Sequence, residues 1–320
     1  MKSLFTTPSW RAGRVRLADY AELMALKSSR RRASSGDLIA SFDRKEDEDE
    51  DRFEHPVEEA FEELADRIAH LGAFSDRYPF QLEQDEILVR SKSLQRDDGW
   101  LYVFLLLATG LNMRDERKHA SLDGADLFEE LSGEVGLRYF GHAKDSRTKK
   151  RVFGTSRCNW PDDSDTELKD DSKFKKAVDS LCKDMGEGGR FRPKSNERLT
   201  ARDDKLDVVI WRDFSDRRTS KLIGFGQCKT GTHWLNELPR LNPESFCRRW
   251  LDTPLASPAI KMFFLTDRIA GELTHKAYEA GILFDRCRVL DYANDLPKEL
   301  LKKCAKWSRA ALAAQGVRLK

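Results

Sequence analysis

The chain has 320 residues, of which 39% are hydrophobic and 35% are charged. It is long enough to bury a sizeable core in one large domain or two ordinary ones, and too apolar to be disordered throughout. Its 57 basic and 55 acidic side chains leave a formal net charge of only +2. The overall charge therefore gives no sign of nucleic-acid binding, and a DNA-binding surface would have to come from local clusters of Lys and Arg.

The cysteine pattern and the hydropathy indicate a cytoplasmic, soluble protein. The chain has six cysteines, without a CxxC pair or a spacing suited to zinc. We expect free thiols in a reducing cytosol. The first residues lack the apolar core of a signal peptide, and the most apolar run, 100–111, is too short to span a bilayer and predicts a buried helix instead.

The first part of the chain, residues 1–118, is predicted to be a mainly helical region that docks a partner or contacts DNA. Apolar spacing predicts a helix over 17–27, followed by a loop over 28–36. The acidic run from Glu46 to Asp51 is interpreted as a solvated loop; a DNA mimic is the alternative. Pro56 is predicted to open the next helix and Gly72 to cap it, after which residues 80–90 predict either a pair of strands or a strand and a turn.

The second part, residues 119–320, is predicted to be an α/β domain. A helix is expected to end at Gly141, and a second one covers 174–189 after the polar stretch 142–170. Four strands are expected next, of which the first two form a hairpin or lie side by side, with a helix between the last two and another at the C-terminus. The four predicted strands are 205–211, 221–229, 261–269 and 282–292.

The residues that carry chemistry lie on the first two of these strands. Asp207 is near the start of one strand, and Gln227 and Lys229 are at the end of the other. Positions i and i+2 of a strand share a face, so Gln227 and Lys229 point the same way, and a hairpin brings Asp207 close to them. The sequence therefore predicts a carboxylate, an amide and an ammonium group at one end of a sheet.

Hydrolysis of a phosphodiester needs such a set of groups. An aspartate binds a hard divalent cation such as Mg²⁺ through oxygen, and the metal polarises the phosphate and acidifies the attacking water. A lysine beside it orients or deprotonates that water and offsets phosphate charge.

The pattern D-(x19)-QxK, with the Asp in an apolar strand, resembles the PD-(D/E)XK nuclease superfamily, and its Gln resembles the Mrr-like branch of restriction endonucleases. That branch has a helix before the sheet with the pattern FExL and a glycine stop, matched here by Phe128 to Leu131 and Gly141. The resemblance covers about residues 120 to 295. It implies a mixed central sheet flanked by helices, and Glu129, with Glu130 as the second choice, as the carboxylate that assists metal binding.

The resemblance also implies roles for the site residues. Asp207, Gln227 and Glu129 would bind Mg²⁺, with Mn²⁺ as a substitute, and Lys229 would act near the water. The sequence departs from the general pattern at two positions, since Gln227 replaces an acidic ligand and Leu206 stands where a proline precedes the Asp. Both departures occur in the Mrr-like branch, and both weaken the inferred ligand set.

A structural alternative is a surface strand on which Asp207 and Lys229 form one exposed salt bridge. The small residues at Gly224 and Gly226 argue mildly against it, because glycine weakens a strand unless something packs closely there.

Candidate DNA contacts flank the site. His233 and Trp234 could stack on or hydrogen-bond to a substrate strand, although packing of Trp234 into the core is the favoured interpretation. Arg190, Arg192 and Lys194 form a basic stretch before the Asp strand that could line a DNA groove, or lie on an ordinary surface loop.

The sequence therefore predicts a Mg²⁺-dependent DNA endonuclease subunit. By family resemblance, it would serve in restriction or anti-phage defence with a separately encoded ATPase, helicase or sensor, and it could cut as a homodimer. Two alternatives remain open: a catalytically inactive nuclease-fold module that binds nucleic acid or protein, and an interaction protein that acts through its helical N-terminal region.

Overall fold

Helices dominate the first hundred residues of the chain. The computed structural model describes residues 4–42, 51–71, 77–141, 147–153, 170–193 and 205–317. Within the N-terminal region, α1 spans Arg14–Lys27, α2 Ser35–Ser41, α3 Asp51–Leu71 and α4 Trp100–Gly110. A small antiparallel sheet lies beside them, with β1 (Arg32–Ser34) and β2 (Phe80–Glu83) on either side of β3 (Glu86–Val89). The predicted helix over 17–27, the strand pair and the buried helix are confirmed.

Two predictions in this region are wrong in part. The predicted loop over 28–36 contains β1 and the start of α2, which Ser34 and Asp37 cap reciprocally. The helix expected from Pro56 begins five residues earlier, at Asp51, so Pro56 lies inside it. Phe53 explains this start, because its ring is fully buried and stacks on Phe42. Of the acidic run, residues 46–50 lie outside the described residues.

A mixed sheet of five strands forms the centre of the second part, among the described residues. Its order is β10-β9-β8-β7-β6, made of β6 (Thr148–Val152), β7 (Val208–Arg212), β8 (Leu222–Lys229), β9 (Ile260–Leu265) and β10 (Ile282–Phe284). Strands β6, β7 and β8 are antiparallel, whereas β9 runs parallel to β8 and β10 parallel to β9. Two very short strands, β4 (Lys118–His119) and β5 (Leu122–Asp123), precede it.

Six helices follow α4 in the described chain: α5 (Gly124–Tyr139), α6 (Asp170–Met185), α7 (Pro243–Trp250), α8 (Thr274–Ala280), α9 (Arg286–Asp291) and α10 (Lys298–Ala314). The protein is thus a mixed α/β structure. The predicted strand over 282–292 is wrong beyond Phe284, because the Asp285 carboxylate accepts the Arg288 N–H and starts α9. Strand β6 falls in the stretch expected to be polar turns, where its charged sequence suits an edge strand.

The two faces of the sheet bury different partners. Val208 and Ile210 face α5 and share one core with the N-terminal helices, whereas Val209 and Trp211 face α6 and α7 in another. This alternation follows from the two-residue period of a strand. Helix α5 lies close to the sheet at Gly136, where a Cβ would come within 1.9 Å of the Ile210 side chain.

The N-terminal region and the sheet therefore share a hydrophobic core across the predicted boundary at 118/119. That boundary stays a prediction. No helix within the described ranges is both long and apolar enough to cross a lipid bilayer.

Candidate active site

A cleft of about 1310 Å³ opens where β8 ends. One side is formed by the sheet and α5, which contribute Asp207, Cys228, Lys229 and Glu129. The loop after β8 adds His233 and Glu237 to the lining. Three of the four predicted catalytic side chains thus line one cavity, although they come from three separate segments of the chain.

Asp207 is held in place by the main chain of the neighbouring strand. Its own N–H donates to the Gly226 carbonyl oxygen at 3.0 Å, and its carboxylate accepts the Cys228 N–H at 2.6 Å. The regular β7–β8 ladder ends one residue away, at the pair Val208 and Gly226. The Asp207 side chain therefore takes the place of a main-chain acceptor, which fixes a buried carboxylate beside the end of β8.

Glu129 reaches the cleft from α5. This helix begins at Asp123, whose carboxylate accepts the N–H groups of Ala125 and Asp126. Glu129 is buried and lines the cleft. Its neighbour Glu130 points to α10, where its carboxylate lies 3.6 Å from Lys303 Nζ. Of the two glutamates that the sequence offered, Glu129 is the one at the cleft.

The charges of Asp207, Glu129 and Lys229 all affect the pKa of the Cys228 thiol. Burial raises its pKa well above the usual value, and the carboxylates of Asp207 and Glu129 raise it further, while Lys229 lowers it. All three charged groups therefore act on a single sulfur atom. The thiol stays protonated at neutral pH, which makes it a poor ligand for a metal ion.

Lys229 is oriented by an ion pair within the cleft. Its Nζ lies 3.1 Å from Glu237 Oε2, and the other carboxylate oxygen of Glu237 lies 2.9 Å from Arg240 Nη1. Glu237 is on a short 3-10 helix, Leu235–Glu237, that follows β8. The exposed surface strand required by the structural alternative is absent from this part of the described chain, since β8 is the central strand and Asp207 is buried.

Gln227 lies apart from the other predicted ligands. Its side chain is fully buried beside Phe263 of β9 and is not among the residues that line the cleft. Neither its amide oxygen nor its amide nitrogen has a hydrogen-bond partner among the described residues. A buried amide without partners is costly, so Gln227 is an anomaly next to the site.

The candidate DNA contacts divide into two groups. His233 is exposed and lines the cleft, whereas Trp234 is buried and donates from Nε1 to Asp267 Oδ2 at 2.8 Å, which confirms its packing into the core. Arg190 and Arg192 lie outside the lining and are paired with one carboxylate, Asp252. Lys194 lies outside the described residues.

The N-terminal region supplies most of the rest of the cleft lining. The polar and charged residues that it contributes include Thr6, Ser9, Arg16, Asn112 and Arg114. Helix α4 of this region is tied to the loop that follows β8, since the Gly231 N–H donates to the Ala108 carbonyl oxygen at 3.0 Å. These residues share no local sequence pattern, so the sequence alone did not indicate their place in the site.

Two side chains of the cleft lining carry carboxylate oxygens, the ligand type that a hard divalent cation prefers. Within the described ranges, no group of three or more His, Cys, Asp or Glu side chains is arranged to hold a metal ion. Mg²⁺ does not need one, because it is usually bound by one or two carboxylates and keeps several waters and substrate phosphate oxygens. Asp207 and Glu129, which both line the cleft, supply that number of carboxylates.

Comparison with known proteins finds no match to a family model, to a curated protein or to a solved structure. The function must therefore be inferred from the residues of the cleft.

Proposed function

We propose that this chain is a Mg²⁺-dependent DNA endonuclease subunit with a restriction-endonuclease-like fold. The observation that carries the proposal is the meeting of Glu129, Asp207 and Lys229 in one cleft at the end of β8. Two carboxylates for a hard cation and one ammonium group for water or phosphate form the set that phosphodiester hydrolysis requires.

Features of the fold support the same proposal. The resemblance to the PD-(D/E)XK nucleases predicts a helix with the FExL pattern before a mixed central sheet. The chain has such a helix, α5, packed on β6, β7 and β8, and a sheet with antiparallel and parallel pairs. Asp207 directly precedes β7, and Gln227 and Lys229 lie on the neighbouring strand β8, which agrees with the arrangement that the resemblance implies.

Each side chain of the cleft has a chemical role in this proposal. Asp207 and Glu129 would hold the cation, with Asp207 fixed by the Cys228 N–H. The bound Mg²⁺ would polarise the scissile phosphate and lower the pKa of the attacking water. Lys229 would orient that water or offset the charge of the phosphate, and Glu237 keeps its ammonium group in the cleft.

The part of the lining that comes from the N-terminal region suits a large polar substrate. Cationic and hydrogen-bonding side chains such as Arg16, Asn112 and Arg114 line the same cleft as the two carboxylates. Such groups suit the phosphates and sugars of a nucleic-acid strand. By resemblance, the role would be restriction or anti-phage defence, with a separately encoded ATPase, helicase or sensor, and double-strand cleavage would call for a homodimer.

One observation favours a second candidate function, a nuclease-fold module that binds nucleic acid or a protein without cutting. Gln227 stands where an acidic ligand is usual, and its side chain is sealed from the cleft. With only two carboxylates from the protein, a cation would depend more on the substrate for its ligands.

A plasmid-nicking assay separates the two candidates. The full chain is incubated with supercoiled DNA and Mg²⁺, Mn²⁺ or EDTA, alongside Asp207→Ala and Lys229→Ala. We expect metal-dependent nicking by the wild type and at least a hundredfold loss in both variants, equivalent to about 2.7 kcal/mol of transition-state stabilisation.

Glu130→Ala is the control for loss of a carboxylate outside the cleft, because Glu130 is paired with Lys303 on α10 and does not line the cleft. It should nick DNA at the wild-type rate. Equal cleavage by the wild type and both site variants would contradict the assignment. DNA binding by the wild type without metal-dependent cleavage would favour the inactive module.

A further inference from the structure

The carboxylate that pairs with Lys229 comes from outside the strand motif. Glu237 lines the cleft, and its Oε2 lies 3.1 Å from Lys229 Nζ. The Glu237 side chain is 16% exposed and the Lys229 side chain 28%. Oε2 is buried from solvent and makes no regular hydrogen bond within the described residues, so the nearby ammonium group balances its charge. Each partner of this half-buried pair therefore lowers the cost of burying the other.

A second cation holds the other oxygen of the same carboxylate. Glu237 Oε1 lies 2.9 Å from Arg240 Nη1, and the Arg240 side chain is half exposed. The three charged groups thus form a chain from the protein surface to the cleft, with one carboxylate between two cations. This arrangement leaves a net positive charge, so Lys229 still attracts an anionic phosphate.

The segment that carries Glu237 is fixed on both sides of it. The Glu237 N–H donates to the Trp234 carbonyl oxygen at 2.9 Å, and Trp234 Nε1 donates to Asp267 Oδ2 at 2.8 Å. Leu238, the next residue, is buried in the same apolar cluster as Trp234. The carboxylate is therefore presented to Lys229 by a packed segment, which keeps the pair in one geometry.

We propose that Glu237 is a positioning residue for Lys229: it holds the ammonium group charged and in place, so that Lys229 acts on a bound phosphodiester as a cation and hydrogen-bond donor rather than as a base. This inference rests on the proposed function of the cleft. A lysine side chain is flexible, and its ammonium group has three N–H donors. The pair with Glu237 restrains the side chain through one contact and leaves further donors for a water or a phosphate oxygen.

The first experiment measures plasmid nicking with Mg²⁺ by the full chain and by Glu237→Gln, which keeps the shape of the side chain and removes its charge. We expect kcat to fall about tenfold and KM to stay within about twofold of the wild type, because the displaced lysine is needed in the transition state. In the Lys229→Ala background, Glu237→Gln should cause no further loss, because a positioning residue acts only through the residue that it holds. Arg240→Gln should lower kcat less, by about threefold, since Arg240 acts on Lys229 only through Glu237.

Glu244→Gln controls for the loss of a carboxylate from the same stretch of chain. Glu244 is on α7, is exposed, pairs with Arg248 and does not line the cleft. The variant should keep the kcat and KM of the wild type. Circular dichroism checks that each variant is folded.

The second experiment does not depend on activity. Thermal unfolding in EDTA compares the wild type, Glu237→Gln, Lys229→Ala and the double variant. The Tm loss of the double variant should be smaller than the sum of the single losses by about 2 °C or more, because Lys229→Ala alone leaves a buried carboxylate oxygen without its counter-charge. Mg²⁺ should raise the Tm of Glu237→Gln as much as that of the wild type, since a positioning residue is not a metal ligand.

Several outcomes would overturn the proposal. An unchanged kcat in Glu237→Gln would do so, and so would an equal loss of kcat with and without Lys229, because Glu237 would then act independently. Loss of the Mg²⁺-induced rise in Tm in Glu237→Gln would make Glu237 a metal ligand instead. A wild type that does not nick DNA, together with Tm losses that are not additive, would remove the nuclease and keep Glu237 as the residue that holds Lys229. Additive Tm losses would remove the positioning role, whatever the nicking assay shows.

Discussion

Two regions of this protein bury charged groups, and they do so in opposite ways. Between α1, α3, α4 and α9, acidic and basic side chains alternate in a closed network. At the end of β8, two carboxylates converge on one thiol, with a lysine beside them. The first arrangement balances its charges within the fold, whereas the second concentrates negative charge where a cation could bind.

The network between the helices is paired throughout its centre. Arg286 binds Asp19 with two hydrogen bonds, at 2.7 and 3.0 Å, and Arg67 lies 2.8 Å from the same carboxylate. Arg67 also binds Glu22 and Glu63, both at 3.0 Å. Burial alone would raise the pKa of Asp19, but Arg286 and Arg67 outweigh burial and hold it well below its usual range. Such a network fixes how the helices dock on the sheet.

The cleft differs because two like charges lie together at its lining. Glu129 and Asp207 both act on Cys228, and beside the cleft the buried amide of Gln227 has no hydrogen-bond partner among the described residues. Clustered groups of this kind cost stability and persist where function requires them. Buried charge by itself therefore does not distinguish the two regions, whereas like charges that lie together at a cavity do.

The largest expected effect is the loss of stability when an arginine is removed from the ion-pair network between the helices. Arg286→Met leaves the Asp19 carboxylate buried with one arginine fewer, and we expect a loss of about 3–5 kcal/mol in the free energy of unfolding, measured with urea. Arg288→Met is the control, because Arg288 is exposed two residues further along α9. It should cost less than about 1 kcal/mol. Similar losses in both variants would show that the network is not the source of the stability.

The second-largest expected effect is the stabilisation of the protein by Mg²⁺ bound in the cleft. Added Mg²⁺ should stabilise the wild type by about 2.7 kcal/mol at a hundred times its Kd, seen as a rise in Tm. Glu129→Gln and Asp207→Asn should lose this rise, and Glu130→Gln should keep it. Without metal, Glu129→Gln should be at least as stable as the wild type, because one of two like charges is gone. A Tm rise that survives in Glu129→Gln and Asp207→Asn would contradict the metal site.

The smallest expected effect is on the pH dependence of the free energy of unfolding, and it is tested with one buried thiol from each region. Burial raises the pKa of Cys287, beside the network, to about 12, with a further rise from Asp285 and an opposing effect of Arg268. Burial and the two carboxylates raise the pKa of Cys228 well above its usual value. An unfolded thiol has a pKa of about 8.5, so above that pH the unfolded state releases a proton that the folded state keeps. The free energy of unfolding therefore falls as pH rises, by about 1.4 kcal/mol per thiol for one pH unit.

Urea unfolding at pH 7.5 and 9.5 checks this prediction. The variants Cys228→Ala and Cys287→Ala should each lose about 1.4 kcal/mol of the wild-type difference between the two pH values. An unchanged pH dependence in either variant would show that its thiol does not titrate differently on unfolding.

Local patterns predicted much of the fold. The apolar spacing of α1, the apolar run of α4 and the β-branched residues of the strand at 208–212 each predict the element that they form. The reason is that buried residues recur along the sequence with the period of a helix or a strand. The prediction failed where tertiary contacts override local signals. Strand β6 is charged and becomes a strand by pairing with β7, and α3 extends past Pro56 because Phe53 is buried against Phe42.

The strand motif predicted Asp207 and Lys229, and the family resemblance added Glu129, with Glu130 as the second choice; the structure places Asp207, Lys229 and Glu129 in the lining of one cleft. Tertiary packing was needed to show that Glu129 rather than Glu130 lies at the cleft, that Gln227 is buried away from it, and that Glu237 pairs with Lys229. It also brought residues of the N-terminal region into the lining of the cleft. The reason is that motif spacing records which residues lie on one element, whereas the approach of separate elements depends on packing of the whole core, which no short segment encodes.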